Sequence, residues 1–369
     1  MKRTKPPYRA DHVGSYLRTP AITEARAKRD KGQISNAELK KVEDQEIPKV
    51  IRKQEEVGLQ CATDGEYRRM FWHYDFYDGL DNVEIYEMDH GIQFQGVQTK
   101  PKGIRINGKI DFSNHPMLEH FKFVKQHTKV MPKMCIPSPT VLHFRLEPNA
   151  IADKKTYPNN DAIFSDLSAA YRKAVKAFYD AGCRYLQFDD TAWAYLCSDV
   201  EMKKAKDRGM NTATIADDYT RIINDSIKDK PADMTITTHV CRGNFRSTWI
   251  ASGGYEPIAE RMLGQCNYDG YFLEYDSERA GGFEPLRFLP KGNKIAVVGV
   301  ITSKSGTLES KDTVKRRIDE AAKFAPLEQL ALSPQCGFAS TEEGNVLTEE
   351  QQWAKMREVV EVAEEIWGK

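Results

Sequence analysis

The feature that most constrains this chain is an alternation. Eight short runs of β-forming residues are separated by longer stretches with helical periodicity. The β-type runs lie at about Asp11–Ser15, Gln60–Asp64, Val130–Ile136, Tyr185–Asp189, Thr235–His239, Tyr271–Glu274, Ile295–Ile301 and Gln329–Ser333. The helical stretches between them include Ile22–Glu56, Phe164–Ala181, Thr212–Lys228, Pro257–Leu263, Lys311–Phe324 and Glu349–Trp367. Strands joined through helices pair in parallel, and eight such units predict an α/β chain of the (β/α)8 TIM-barrel type.

One segment breaks the alternation. Between about Val83 and Phe112, polar and apolar residues alternate around Gly91, Gly96, Gly103 and Gly108, which predicts antiparallel β-hairpins. We place them as an insertion in an early βα loop. No Gly/Ser/Pro linker and no repeat of fixed period interrupts the chain. Residues 1–369 therefore read as one catalytic barrel, with an inserted hairpin segment at about 83–112.

Charge excludes some partners. The 54 Lys and Arg residues balance the 54 Asp and Glu residues, so no global field attracts nucleic acid or an anionic membrane. No apolar run reaches the ~20 residues that a membrane helix needs. The basic start Met1–Pro7 is not followed by an apolar stretch, so no secretory signal is expected. The seven cysteines (61, 135, 183, 197, 241, 266, 336) are an odd number in a long chain, which fits a reducing, cytoplasmic setting.

A barrel keeps its chemistry at the carboxyl ends of its strands. There the sequence places Gly14-Ser15, Asp64-Gly-Glu66, Asp189-Asp190, His239-Val-Cys241, Glu274, Thr302-Ser-Lys304 and Cys336-Gly337. His239 and Cys241 are two apart on an extended chain, so both side chains leave on one face. Together with Glu274 and Cys336 they make a mixed S, N and O set that suits zinc. A structural zinc finger would use close Cys pairs, whereas ligands from distant strands suit a catalytic ion. Two thiolate ligands would weaken the ion as a Lewis acid, so a bound thiol would lose its proton yet stay nucleophilic. Each of the other five cysteines reads as a small buried hydrophobe.

Asp11-His-Val-Gly-Ser15, Asp64-Gly-Glu66, Gln187-Phe-Asp-Asp190, Thr238-His-Val-Cys-Arg-Gly-Asn244, Phe272-Leu-Glu274 and Ser333-Pro-Gln-Cys-Gly337 occur in this order. Together they resemble the C-terminal catalytic barrel of cobalamin-independent methionine synthase, and more closely its short single-domain relatives. The resemblance spans about Ala10 to Trp367. It implies a TIM barrel, a catalytic Zn2+ held by His239, Cys241, Glu274 and Cys336, and a zinc-bound thiolate of homocysteine that is methylated to methionine. It also implies that Val13, Gly14 and Ser15 hold the homocysteine carboxylate, and that Glu66 and Asp189 hold its amino group. That division is chemically sound, because a zwitterion needs loop donors at one end and carboxylates at the other.

The departures concern the methyl donor. The 369 residues leave no room for the family's additional N-terminal barrel, which contributes to folate binding. Phe144 is the nearest match to the tryptophan that binds the pterin. Lys304 stands where the family has a histidine thought to protonate the donor, and Thr302 replaces an aspartate. Lys304 is thus the candidate donor-side acid or anion binder. Trp72, Phe76 and Tyr77 are candidates to line a donor pocket, with simple packing as the alternative. The donor is left open among a folate, a corrinoid on a carrier protein and an S-methyl compound, and homo-oligomerisation is left open too. Two other functions compete: alkylation of coenzyme M or another thiol by an epoxide, and non-catalytic binding of zinc or homocysteine.

Overall fold

The computed structural model describes residues 3–152 and 154–368. Met1 and Lys2 of the basic start, Asp153, and Lys369 at the end of the expected barrel lie outside the described residues. In chain order the strands are β1 (Cys61–Ala62), β2 (Asp81–Glu87), β3 (Gln93–Phe94), β4 (Val97–Gln98), β5 (Lys102–Asp111), β6 (Met131–Pro137), β7 (Tyr185–Asp190), β8 (Thr235–Val240), β9 (Gly270–Glu274), β10 (Ile295–Ile301) and β11 (Leu330–Pro334). Seven of them form one sheet in the order β1-β6-β7-β8-β9-β10-β11, and every pairing in it is parallel. Strands β7, β9, β10 and β11 are buried along their whole length. Helices cover one face and packed side chains the other, and β10, Ile295–Ile301, accordingly reads as an unbroken apolar run.

The first expected strand, Asp11–Ser15, is not one. Only Ala10 forms a parallel bridge, to Leu332 of β11. The Asp11 carboxylate is fully buried and accepts hydrogen bonds from the main-chain N–H groups of Tyr8 and His12, so the backbone there bends around its own side chain. The segment nevertheless spans the two edges of the sheet. Asp11 N donates to Leu332 O on one side. On the other, Cys61 Sγ donates to Asp11 Oδ1 at 3.4 Å and Thr63 Oγ1 to Gly14 O at 2.6 Å. One short segment reaching both β11 and β1 requires the sheet to curl, as in a TIM-like barrel.

The helical stretch expected at Ile22–Glu56 is two helices, Pro20–Asp30 and Asn36–Glu56. Gly32 adopts a left-handed φ of 69°. Gly32 N donates to Arg29 O and Gln33 N to Lys28 O, closing the first helix as a Schellman turn. Ser35 then opens the second with a capping box to Glu38. The stretch at Pro257–Leu263 becomes an α-turn at Glu256–Ala259 running into a π-helix at Glu260–Gln265. The last helix, Glu349–Trp367, keeps its expected bounds behind a Thr348–Gln351 capping box.

The segment between β1 and the helix Met117–His127 carries the antiparallel pairs. β2 pairs with β5, and β3 with β4. Phe94 of β3 and the preceding Ile92 reach the rim where β7, β8 and β11 end. Among the described residues, no helix is long and apolar enough to cross a membrane.

Candidate metal and substrate site

His239 lies within β8, Glu274 ends β9, and Cys241 and Cys336 follow β8 and β11 by one and two residues. Parallel pairing puts all four at the same end of the sheet. Their ligand atoms lie within 4.8 Å of one another, and all four side chains are buried. The two sulfurs are 3.6 Å apart. Neither ring nitrogen of His239 and not Oε2 of Glu274 has a hydrogen-bond partner. Buried polar atoms are rarely left so, and an imidazole, a carboxylate and two thiols this close together fit the ligand set of a tetrahedral cation.

The electrostatics agree. Cys336 is held well below the usual thiol range by the hydrogen bond from Cys241 and by the charge of His239, while Cys241, as donor to that thiolate and buried, is pushed well up. Burial pulls His239 down, but the Cys336 thiolate and nearby carboxylates more than offset this and raise it. Burial raises Glu274. The cluster is thus a set of groups sharing too few protons and too little positive charge.

A cavity of about 30 Å³ opens over this cluster. Val13, Ser15, Glu66 and Asp189 line it beside His239, Cys241 and Cys336. Glu66 sits on a turn in which Gly65 and Glu66 both have positive φ, 68° and 59°. Glu66 is a costly residue to hold there, as is common where a side chain must be aimed. Its carboxyl is pushed up to about 8 by burial, against the pull of the Arg69 guanidinium and with the push of Asp189. Asp189 is also raised by burial, and accepts from Gln187 Nε2 at 2.7 Å. Cys135 completes this second cluster within 4.8 Å.

Two glycines make room. Gly14 has φ +133°, and a Cβ on it would stand 2.8 Å from both Glu66 Oε1 and Cys135 Sγ. A Cβ on Gly337 would collide with Ser15 Oγ. That hydroxyl accepts from Ala339 N at 3.2 Å, leaving its own proton to donate into the cavity.

Lys304 does not line the cavity. Its Nζ donates to Gly243 O at 3.3 Å and Asn244 Oδ1 at 3.0 Å, two residues that do. Phe144 packs on Tyr195 with ring centroids 5.1 Å apart and is likewise outside the lining. Trp72 lines the cavity, whereas Phe76 and Tyr77 are fully buried in the core. Residue patterns gave no notice of Arg69, Phe71, Phe94, Arg145, Thr191 or Tyr195, which complete the wall. A lone arginine or aromatic in a helical or loop stretch carries no spacing signal, so only the fold could bring them here.

Residues 9–365 match the family described as "Cobalamin-independent synthase, Catalytic domain". The chain is 50% identical over 367 residues to the "Uncharacterized protein YxjH" of Bacillus subtilis (strain 168), covering 99% of this chain and 96% of that one. It is 25% identical over 336 residues to the 5-methyltetrahydropteroyltriglutamate–homocysteine methyltransferase of Synechococcus sp. (strain JA-2-3B'a(2-13)), covering 90% of this chain and 40% of that protein. A crystal structure of a Listeria monocytogenes protein superposes with a TM-score of 0.81 at 43% identity, covering all of both chains.

Proposed function

The chain belongs to the family of cobalamin-independent synthase catalytic domains, and from that premise we propose that it is a zinc-dependent methyltransferase acting on homocysteine to give methionine. The observation that carries this reading is the buried set His239, Cys241, Glu274 and Cys336, converging within 4.8 Å with His239 and Glu274 Oε2 unpartnered. These four residues would hold the ion. Zinc there supplies the charge that lets a substrate thiol ionise near neutral pH, and its thiolate ligands keep that sulfur nucleophilic.

The remaining roles fall to the chain's own groups. Glu66 and Asp189 take the substrate ammonium, whose positive charge offsets the burial that raises both carboxyls. Ser15 Oγ, with main-chain groups of Val13 and Gly14, receives the carboxylate. Phe71, Trp72, Phe94 and Tyr195 form the apolar wall that excludes water on the donor side. Lys304 serves that side by fixing Gly243 and Asn244 rather than by touching the donor. We read the whole as one (β/α)8 catalytic unit, with the ribbons of 81–111 inserted in an early βα connection, working in the cytoplasm on a small thiol. The donor is a folate, a corrinoid methyl carrier or an S-methyl compound.

Alkylation of coenzyme M fits less well, because its sulfonate would face the carboxylates Glu66 and Asp189. The deciding experiment is a donor screen with homocysteine on zinc-loaded protein, comparing methyl-folates of one and several glutamates, methylcobalamin and S-methyl compounds. Methionine formation with any of them supports the reading. Zinc binding with no methionine from any donor would overturn it in favour of a binding protein.

A further inference from the structure

Gln187 stands in β7 two residues before Asp189, so both side chains leave the strand on the same face. It is completely buried, at 0% exposure, in register with Cys135 of β6 and Thr237 of β8. An amide in a sheet interior is worse than an apolar side chain unless its hydrogen bonds matter. Here both N–H groups of Nε2 are engaged by the cavity wall. One donates to Val13 O at 2.8 Å, across 174 residues of chain, and the other to Asp189 Oδ1 at 2.7 Å. Val13 and Asp189 line the cavity, and Gln187 itself does not.

The partners fix which way the amide points. Both are acceptors, so the flipped amide would set Oε1 against a carbonyl and a carboxylate oxygen. Oε1 itself has no partner, an unfavourable arrangement that the two N–H bonds must offset. Those bonds leave one planar nitrogen at a fixed angle, so the Val13 carbonyl and the Asp189 carboxylate are held in a fixed relation to each other. The rest of the loop is held in the same manner. Cys135 Sγ also donates to Val13 O at 3.1 Å, and Thr63 Oγ1 donates to Gly14 O at 2.6 Å. Of these donors only Gln187 also grips Asp189.

We propose that Gln187 is a positioning residue that couples the two ends of acceptor recognition, so that the site selects thiols carrying both an ammonium and a carboxylate. The inference rests on the reading in which Asp189 takes the ammonium and the loop of Val13, Gly14 and Ser15 takes the carboxylate. An ammonium drawn onto Asp189 immobilises the carboxylate that Gln187 holds. The same amide then steadies Val13, and the loop meets the second charge already in place. A thiol with only one charged end gains its own contact and forgoes this mutual support.

The test compares four thiols on the full chain: homocysteine, 4-mercaptobutanoate without the amino group, 3-aminopropane-1-thiol without the carboxylate, and propane-1-thiol without either. Each Kd is read from the thiolate-to-metal absorption of cobalt(II)-substituted wild type, Gln187→Met and Gln187→Leu, two variants being made so that one remains should the other fail to fold. In the wild type, the product of the two single losses in affinity should exceed the loss on removing both ends by about 10-fold. In the variants that excess should shrink to within about 2-fold of unity, and homocysteine should bind about 10-fold more weakly. Propane-1-thiol, which touches neither end, should keep its Kd. Additive losses in the wild type would overturn the proposal, as would an excess that survives in the variants. So would variants that lose propane-1-thiol as strongly as homocysteine, because the amide would then serve packing alone. Those outcomes leave the acceptor reading standing, whereas a metal-loaded wild type whose absorption responds to none of the thiols would overturn both.

Discussion

Cys241 Sγ and Cys336 Sγ stand 3.6 Å apart, although 95 residues of chain separate them. They are not bonded to each other. Two buried sulfurs this close, with an imidazole and a carboxylate beside them, share a proton or share an ion. The protein as purified from zinc-containing medium should carry about one zinc per chain. Either Cys241→Ser or Cys336→Ser should remove most of it, because an alcohol does not ionise to replace a thiolate. Elemental analysis checks this, and variants with undiminished zinc would rule out the ligand set.

Glu66 and Asp189 should govern acceptor affinity. Glu66→Gln or Asp189→Asn deletes a charged partner of the substrate ammonium, at about 1.5–3 kcal/mol, or roughly 10- to 100-fold in the Kd for homocysteine. Zinc content should not change. Calorimetric titration of zinc-loaded variants measures both, and an unaltered Kd would move the ammonium site elsewhere.

Glu66 also leaves a signature in stability. Burial raises its carboxyl from an ordinary value of 4.5 to about 8 in the folded protein. A group raised on folding contributes stability that is full below its unfolded pKa and is lost as pH rises through the folded one. Metal-free wild-type protein should therefore lose stability between about pH 5 and pH 8 relative to Glu66→Gln, which has no proton to release. Parallel melting profiles across that window would show that Glu66 is ionised throughout.

Gly337→Ala should behave differently from an ordinary loop substitution. Its Cβ would strike Ser15 Oγ and push aside the hydroxyl that Ala339 N holds. We expect homocysteine affinity to fall about 10-fold, the equivalent of one hydrogen bond, with zinc retained. Gly14→Ala should cost more, because it meets Glu66 and also imposes a side chain at φ +133°. A melting curve and a binding isotherm for each variant separate the two effects. Equal, unperturbed binding in both would dissociate these loops from the substrate.

Lys304→Met should lower donor kcat/KM by about 10-fold while the homocysteine Kd stays within about 2-fold, since the ammonium braces Gly243 and Asn244. As a positioning residue it should leave the alkaline limb of the pH–rate profile in place. Loss of that limb in the variant would make Lys304 the proton donor instead.

Much of this site was legible in the residues. His239-Val-Cys241 on an apolar β run, Glu274 and Cys336 at later strand ends, and Glu66 and Asp189 at earlier ones were each recognisable by type and position. Strands β7 to β11 were visible as short runs rich in β-branched, aromatic and apolar residues, which suit a sheet buried on both faces. The segment 11–15 misled for the same reason in reverse. Its apolar residues face the interior, but Asp11 takes the N–H groups that a strand would have given to its neighbours. The single helix expected at 22–56 overlooked Gly32 and Ser35, a stop signal and a start signal only three residues apart.

The sequence by itself determined which thiols, imidazole and carboxylates stand at strand ends, because residue types and strand-end positions are properties of residues and of local periodicity. The tertiary structure decided what stands beside what. It brought two distant sulfurs to 3.6 Å, turned Lys304 onto Gly243 and Asn244, placed Arg69 against Glu66, and set the Gln187 amide between Val13 and Asp189. Those relations depend on how a curled sheet sets the ends of separate strands against one another, and a distance between strand ends leaves no periodic trace in the chain that folds to produce it.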